Sequence, residues 1–185
     1  MRLAPIEKPR GLINRVAYWL SRREFGKVPS VITVVYARSP RLAMLGYRIR
    51  RFTEKGVALD PGLRLLIQTA VAEANGCGFC VDIGRAIAVE KGLGLEKFDA
   101  LPDWQTSPLF SERERAAIGY AREAGKDGRV ADATFERLRK SFDEREIVDV
   151  TAMIAVERFY NGIAIPLGLE ADGLCALKQG ATLAG

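Results

Sequence analysis

The 185-residue chain contains no histidine, and this absence excludes more chemistry than any other feature of its composition. Without an imidazole there is no Ser-His-Asp or Cys-His catalytic arrangement, no His-ligated zinc and no imidazole proton shuttle. Cysteine is scarce as well: Cys77, Cys80 and Cys175 are the only three, too few for a four-cysteine metal site within one chain. No uncharged apolar run reaches the roughly 18 residues of a membrane-spanning helix. Arg10, Arg15, Arg22 and Arg23 break up any apolar stretch near the N-terminus that could act as a secretion signal. The expected location is the cytoplasm. Flavin, haem and nicotinamide sites have no support in the sequence, so no cofactor is expected.

What is present is a chain with 48% apolar residues, enough to bury one core as a single domain with appendages. Its charge is uneven. Residues 1–58 hold 13 Lys and Arg against Glu7, Glu24 and Glu54, a net +10 that leaves −5 for the rest of a +5 chain. Such a basic arm pairs with the acidic remainder of its own chain or a neighbouring subunit, or else binds nucleic acid or anionic lipid. No helix-turn-helix, RNA-binding or zinc motif supports the nucleic-acid alternative.

Punctuation by Gly, Pro and capping residues predicts an all-α fold. Leu12, Ile13, Val16, Ala17 and Leu20 form a stripe at helical spacing over residues 11–23, expected to pack on the body of the protein. The β-branched run Val31–Tyr36 has no second strand to pair with and is read as a buried helical turn. A helix is expected from Pro40 to about Lys55. Another, capped by Asp60 with Pro61 at its first position, should run to Ala74 and stop at Asn75-Gly76. The next opens at the cysteines and ends near Gly92. Ser111 with Glu114 makes a capping box for a helix to about Ala124; Asp132 caps one to about Phe142; Asp143 with Glu146 opens a last long one that breaks near Pro166. The small-residue tail after Leu169 is expected to be loosely ordered.

The segment Asn75-Gly76-Cys77-Gly78-Phe79-Cys80 places two thiols at i and i+3 in the first turn of a helix, on one face and close enough to bond. Unpaired N–H groups and the positive end of the helix dipole favour a thiolate there. A thiolate attacks a peroxide oxygen or a disulfide sulfur, and the second thiol closes an intramolecular disulfide. The competing reading is a pair of buried core cysteines. Farther along, Glu157 and Asn161 lie one turn apart among apolar neighbours. A buried Glu there needs a partner, either as a site carboxylate facing the cysteines or as a polar clamp between helices or subunits.

The cysteine string, together with residues 107–114 (SPLFSERE) and 155–161 (AVERFYN), resembles the alkylhydroperoxidase D / carboxymuconolactone decarboxylase family, in its CxxC-bearing, peroxidase-related branch. The resemblance spans residues 38–175, leaving 1–37 as a basic helical arm and 176–185 as a flexible tail. It implies a homo-oligomer, a trimer, hexamer or dimer, with thiol peroxidase or disulfide-reductase activity and a thioredoxin-like or dihydrolipoyl electron donor. It also implies Cys80 as the attacking sulfur, whereas the helix terminus favours Cys77. The family's full relay has a Glu twelve residues before the first cysteine and a His four after the second; Leu65 and Gly84 stand there instead. Glu73, Asp82 and Glu157 are the candidate replacements for proton handling, and Arg64 and Arg85 could stabilise a thiolate. Cys175 reads as an unpaired thiol. Beside the peroxidase stand two further readings: a non-catalytic or redox-sensing oligomer that has lost the relay, and a carboxymuconolactone decarboxylase-type lyase, which the missing histidine disfavours.

Overall fold

The computed structural model describes residues 1–183, and every regular element among them is helical. In chain order these are α1 (Leu12–Phe25), a π-helical turn (Ile32–Tyr36), α2 (Pro40–Lys55), α3 (Pro61–Ala74), α4 (Gly78–Glu90), α5 (Glu96–Asp99), a 3-10 turn (Leu101–Asp103), α6 (Glu112–Asp127), α7 (Asp132–Arg139), α8 (Glu144–Ala164) and α9 (Leu174–Leu183). The all-α expectation holds, and the run at Val31–Tyr36 is a buried turn of helix rather than a strand.

α3 is the axis of the fold. Asp60 caps it by accepting from the backbone N–H of Gly62 (2.8 Å) and Leu63 (3.1 Å), and Pro61 occupies its first turn. Eight of its 14 residues are buried, so it is enclosed rather than amphipathic. One face, with Ile67 and Val71, packs on α6, α7 and α8; a second, with Leu66 and Ala70, meets Ala88, Leu101 and Ile118; Ala72 joins Val34, Phe79 and both cysteines in a third cluster. Close approach of α3 and α6 depends on Gly125, where a Cβ would fall 3.0 Å from the Val71 methyls. Ile67 has no exposed surface, and Ile67→Ala should cost about 2–5 kcal/mol of stability.

Both capping boxes are present, Ser111 with Glu114 and Asp143 with Glu146. Three expectations need correction. Asp132 is the first residue of α7 and Ala131 its cap, with no side-chain capping bond, and the helix stops at Arg139. On α1, Leu12, Val16 and Leu20 face outward while Tyr18, Ser21 and Phe25 are buried; the Tyr18 hydroxyl donates to the Ile6 carbonyl (2.6 Å), which turns that edge inward. The chain after Leu169 is not loose: residues 174–183 form α9, packed on α4 with Leu174 fully buried. Residues 184 and 185 of the expected tail lie outside the described residues.

The basic arm is held by its own chain. Arg2 N–H donates to Leu167 O and Ile6 N–H to Thr33 O; Arg38 reaches the Ala4 carbonyl; Arg50 pairs with Glu24 of α1 and Glu54 of α2. Outward faces of α1 and α2 nevertheless keep Trp19, Met44, Leu45 and Phe52 exposed. No helix among the described residues is long and apolar enough to cross a membrane.

Candidate active site at the cysteine pair

The α3–α4 turn builds the site. Asn75 ends α3, Gly76 takes a left-handed conformation (φ 70°) that a side chain would strain, and Cys77 becomes the N-cap of α4. Cys77 Sγ accepts from the N–H of Cys80 (3.3 Å), and the two cysteines are joined as a disulfide with their Cα atoms 5.3 Å apart. Both are buried, Cys77 at 1% and Cys80 at 7% exposure.

The two sulfur-bearing residues border different cavities. Cys80 lines one of about 450 Å³ bounded by α1, α2, α3, α4 and α8. Its wall is mainly apolar, with Leu65, Phe79, Ile83 and Ile163; Gln68, Glu157 and Tyr160 are among its polar points, and the charged side chains Arg50, Glu54, Arg64 and Lys91 also line it. Cys77 lines a second cavity of about 390 Å³ with Glu73, Arg85 and Cys175.

At Cys80 the side chains of α3, α4 and α8 converge. Asn161 Nδ2 donates to Cys80 Sγ (3.2 Å) and to Glu157 Oε1 (2.7 Å). Its carbonyl oxygen accepts from Asn75 Nδ2 (2.9 Å), and Asn75 also donates to Gly125 O (3.2 Å). That chain fixes which end of the Asn161 amide faces the sulfur. Gln68 donates to the other Glu157 oxygen (3.4 Å). Glu157 is 5% exposed and has no cation against it, so burial pushes its carboxyl up to about 7 despite the hydrogen bonds from Asn161 and Gln68, which act the other way. Burial likewise raises the Tyr160 and Tyr36 phenols of the same cavity, keeping them protonated hydrogen-bond donors.

The remaining candidates, of which Arg64 alone also lines the Cys80 cavity, are engaged with other partners. Glu73 lines the Cys77 cavity and forms an ion pair with Arg122 (2.7 Å); burial raises its pKa while that guanidinium lowers it. Asp82 points at α9: its carboxylate accepts the backbone N–H groups of Asp172 (2.9 Å), Leu174 (2.9 Å) and Cys175 (3.0 Å), so both oxygens are committed to fastening the C-terminal helix. Arg64 donates to Thr53 O and Arg85 pairs with Asp99. Cys175 is a half-buried free thiol in the Cys77 cavity. Leu65 and Gly84 both line the Cys80 cavity. Sequence reasoning gave Asn75, Gln68 and Thr69 no role at the site; Asn75 was legible as the end of a helix and as the first residue of the cysteine string.

A sequence model described as the Carboxymuconolactone decarboxylase family matches residues 43–123. The chain is 34% identical over 181 residues to the uncharacterized protein YnjA of Escherichia coli (strain K12), covering 97% of this chain and 98% of that protein. An alkylhydroperoxidase AhpD core, peroxidase-related protein from Ralstonia eutropha JMP134 superposes with a TM-score of 0.78 at 23% identity, covering 95% of each chain. The debrominase Bmp8 superposes with a TM-score of 0.80 at 19% identity, again over 95% of each chain. The last two are likenesses of fold.

Proposed function

The chain belongs to the carboxymuconolactone decarboxylase family, and from that premise we propose that it is a thiol-dependent hydroperoxide reductase that cycles Cys77 and Cys80 between dithiol and disulfide. One observation carries the reading: a single amide nitrogen, Asn161 Nδ2, bridges the sulfur of Cys80 and a buried carboxyl held near neutrality. That arrangement supplies, from α8, the proton handling that Leu65 and Gly84 do not. The non-catalytic reading has less to support it, because an inert pocket has no need of a neutral-pH acid beside the sulfur.

In the reduced protein, Glu157 accepts the Cys80 proton and the Asn161 amide stabilises the thiolate. The thiolate attacks the terminal oxygen of R–O–O–H. An S–O bond forms, the O–O bond breaks, and the departing alkoxide takes the proton from Glu157 to leave as R–OH. Cys77 then attacks the resulting Cys80 sulfenic acid, an S–S bond forms, and the hydroxyl leaves as water with the Cys77 proton. Two thiols of an external donor, of thioredoxin-like or dihydrolipoyl type, return the disulfide to the dithiol and are themselves oxidised. Cys80 is the attacking sulfur because it borders the substrate-sized cavity with Glu157, and Cys77 resolves.

The exposed apolar residues on α1 and α2 support a homo-oligomer as the working form. Dithiol-dependent consumption of cumene hydroperoxide tests the activity, with loss of bromide from 2,3,4-tribromopyrrole, the ligand of a Bmp8 variant complex, as the competing assay. Peroxide turnover that disappears in both Cys77→Ser and Cys80→Ser supports the reading; bromide release without peroxide consumption overturns it.

A further inference from the structure

The Cys80 cavity is polarised along its length. On α4, Cys80, Ile83, Ile87 and Lys91 follow one another along its wall at helical spacing, which puts Lys91 about 16 Å from the cysteine along the helix axis. α3 runs antiparallel beside it: a Cβ on Gly84 would fall 3.0 Å from Thr69 Oγ1, and one on Gly62 would fall 3.9 Å from Leu93. Arg64 therefore stands level with the last turn of α4, and Leu65 and Gln68 lead from it toward Cys80. At the cysteine end lies the buried carboxyl of Glu157.

The cations at the far end are not used up by the fold. Arg50, elsewhere on the wall, is engaged by Glu24 and Glu54. Arg64 is half-buried, and its Nη1 donates to Thr53 O; the other N–H groups of its guanidinium have no partner among the described residues. Lys91 is exposed and has no ion pair among the described residues, while the neighbouring Glu90 pairs with Lys178. An apolar channel of about 450 Å³ with cations at one end and an acid at the other orients a ligand by charge.

We infer that the Cys80 cavity takes amphiphilic carboxylates, with the acid head on Arg64 and Lys91 and the apolar chain lying along Leu65, Ile87 and Ile83 toward Cys80. The reverse orientation would bring the head against Glu157. Naming the substrate as an acyl-chain hydroperoxide, with its hydroperoxy group carried toward Cys80, rests on the proposed function; the carboxylate clamp does not.

The test titrates decanoate and decanol, alike in chain and different in head, into the oxidised full-length protein. Heteronuclear NMR follows the backbone amides, and no turnover is involved. Wild type should bind both with shifts at Ile83 and Ile87, and decanoate about tenfold more tightly; added salt should shrink that preference. Lys91→Glu, a change at an exposed position, should weaken decanoate about fivefold and leave decanol unaffected. Arg64→Gln should weaken decanoate at least as much, and if that variant does not fold, Lys91→Glu decides. Binding of neither probe, equal affinity for both, or a preference for decanoate that survives the substitutions overturns the inference. Carboxylate-selective binding in a protein that consumes no peroxide would retire the proposed function and leave the clamp standing; peroxide consumption without that selectivity would do the reverse.

Discussion

Asn161 Nδ2 lies 2.7 Å from Glu157 Oε1 and 3.2 Å from Cys80 Sγ, so one side-chain amide on α8 couples the buried acid to the redox sulfur. Its two hydrogens are used by these two acceptors and its oxygen by Asn75, which leaves the group no freedom to turn.

Glu157→Gln keeps the shape and, once the Gln68 amide turns its oxygen toward the new NH2, both hydrogen-bond partners, but cannot take a proton. The rate at which pre-reduced protein consumes hydroperoxide should rise with pH through about 7 in wild type, following the carboxylate. In Glu157→Gln it should fall by about 10²–10⁴-fold and lose that inflection. Stopped-flow traces across pH 5.5–8.5, a range spanning roughly 1.5 units about the carboxyl, provide the check.

Asn161→Ala removes the donor shared by sulfur and carboxylate. Iodoacetamide should then alkylate Cys80 more slowly at neutral pH, by roughly tenfold, because a hydrogen bond to a charged acceptor is worth about 1.5–3 kcal/mol. Asn161→Asp should slow it further, since a second carboxylate beside the thiolate repels it. An unchanged alkylation rate in both variants would separate Asn161 from the chemistry.

Stability should also report on Glu157. Its folded pKa of about 7 lies above the 4.5 of the unfolded chain, so between these values the folded state binds more protons than the unfolded one. Folding stability therefore falls as pH rises through this window, and above it the group costs roughly 3 kcal/mol. Denaturant midpoints at pH 5 and pH 8, on either side of a window of about 2.5 units, should differ less in Glu157→Gln than in wild type.

Trp19 on α1 and Met44 on α2 are 58% and 55% exposed. If these faces join subunits, Trp19→Glu combined with Met44→Glu should shift the protein to monomer in sedimentation velocity while leaving its circular dichroism unchanged. An unaltered sedimentation coefficient would assign the contact to another surface.

The sequence carried the helices whose ends are specified locally. Pro40, the Asp60-Pro61 cap, and the Ser111/Glu114 and Asp143/Glu146 boxes each act within one turn of their own helix, so α2, α3, α6 and α8 were legible. α9 was not, because the carboxylate at its N-terminus is Asp82, about ninety residues earlier on α4. α1 misled because Leu12, Val16 and Leu20 of its apolar stripe face outward. At the site, the cysteine spacing and the Glu157–Asn161 pair could be read from spacing alone. The contact of Asn161 with Cys80 spans 81 residues and that with Asn75 spans 86; no local pattern announces either. Thr69 gave no signal at all, since a buried hydroxyl without a partner among the described residues is a property of the packing around it.

The most direct test of the dithiol mechanism is a single turnover of the reduced Cys77→Ser variant with one equivalent of cumene hydroperoxide, followed by dimedone labelling and peptide mass spectrometry. With no resolving thiol at position 77, the account predicts a dimedone adduct on Cys80 with one equivalent of alcohol released. An unlabelled Cys80 with the peroxide unconsumed, or an adduct on Cys175 alone, would contradict it.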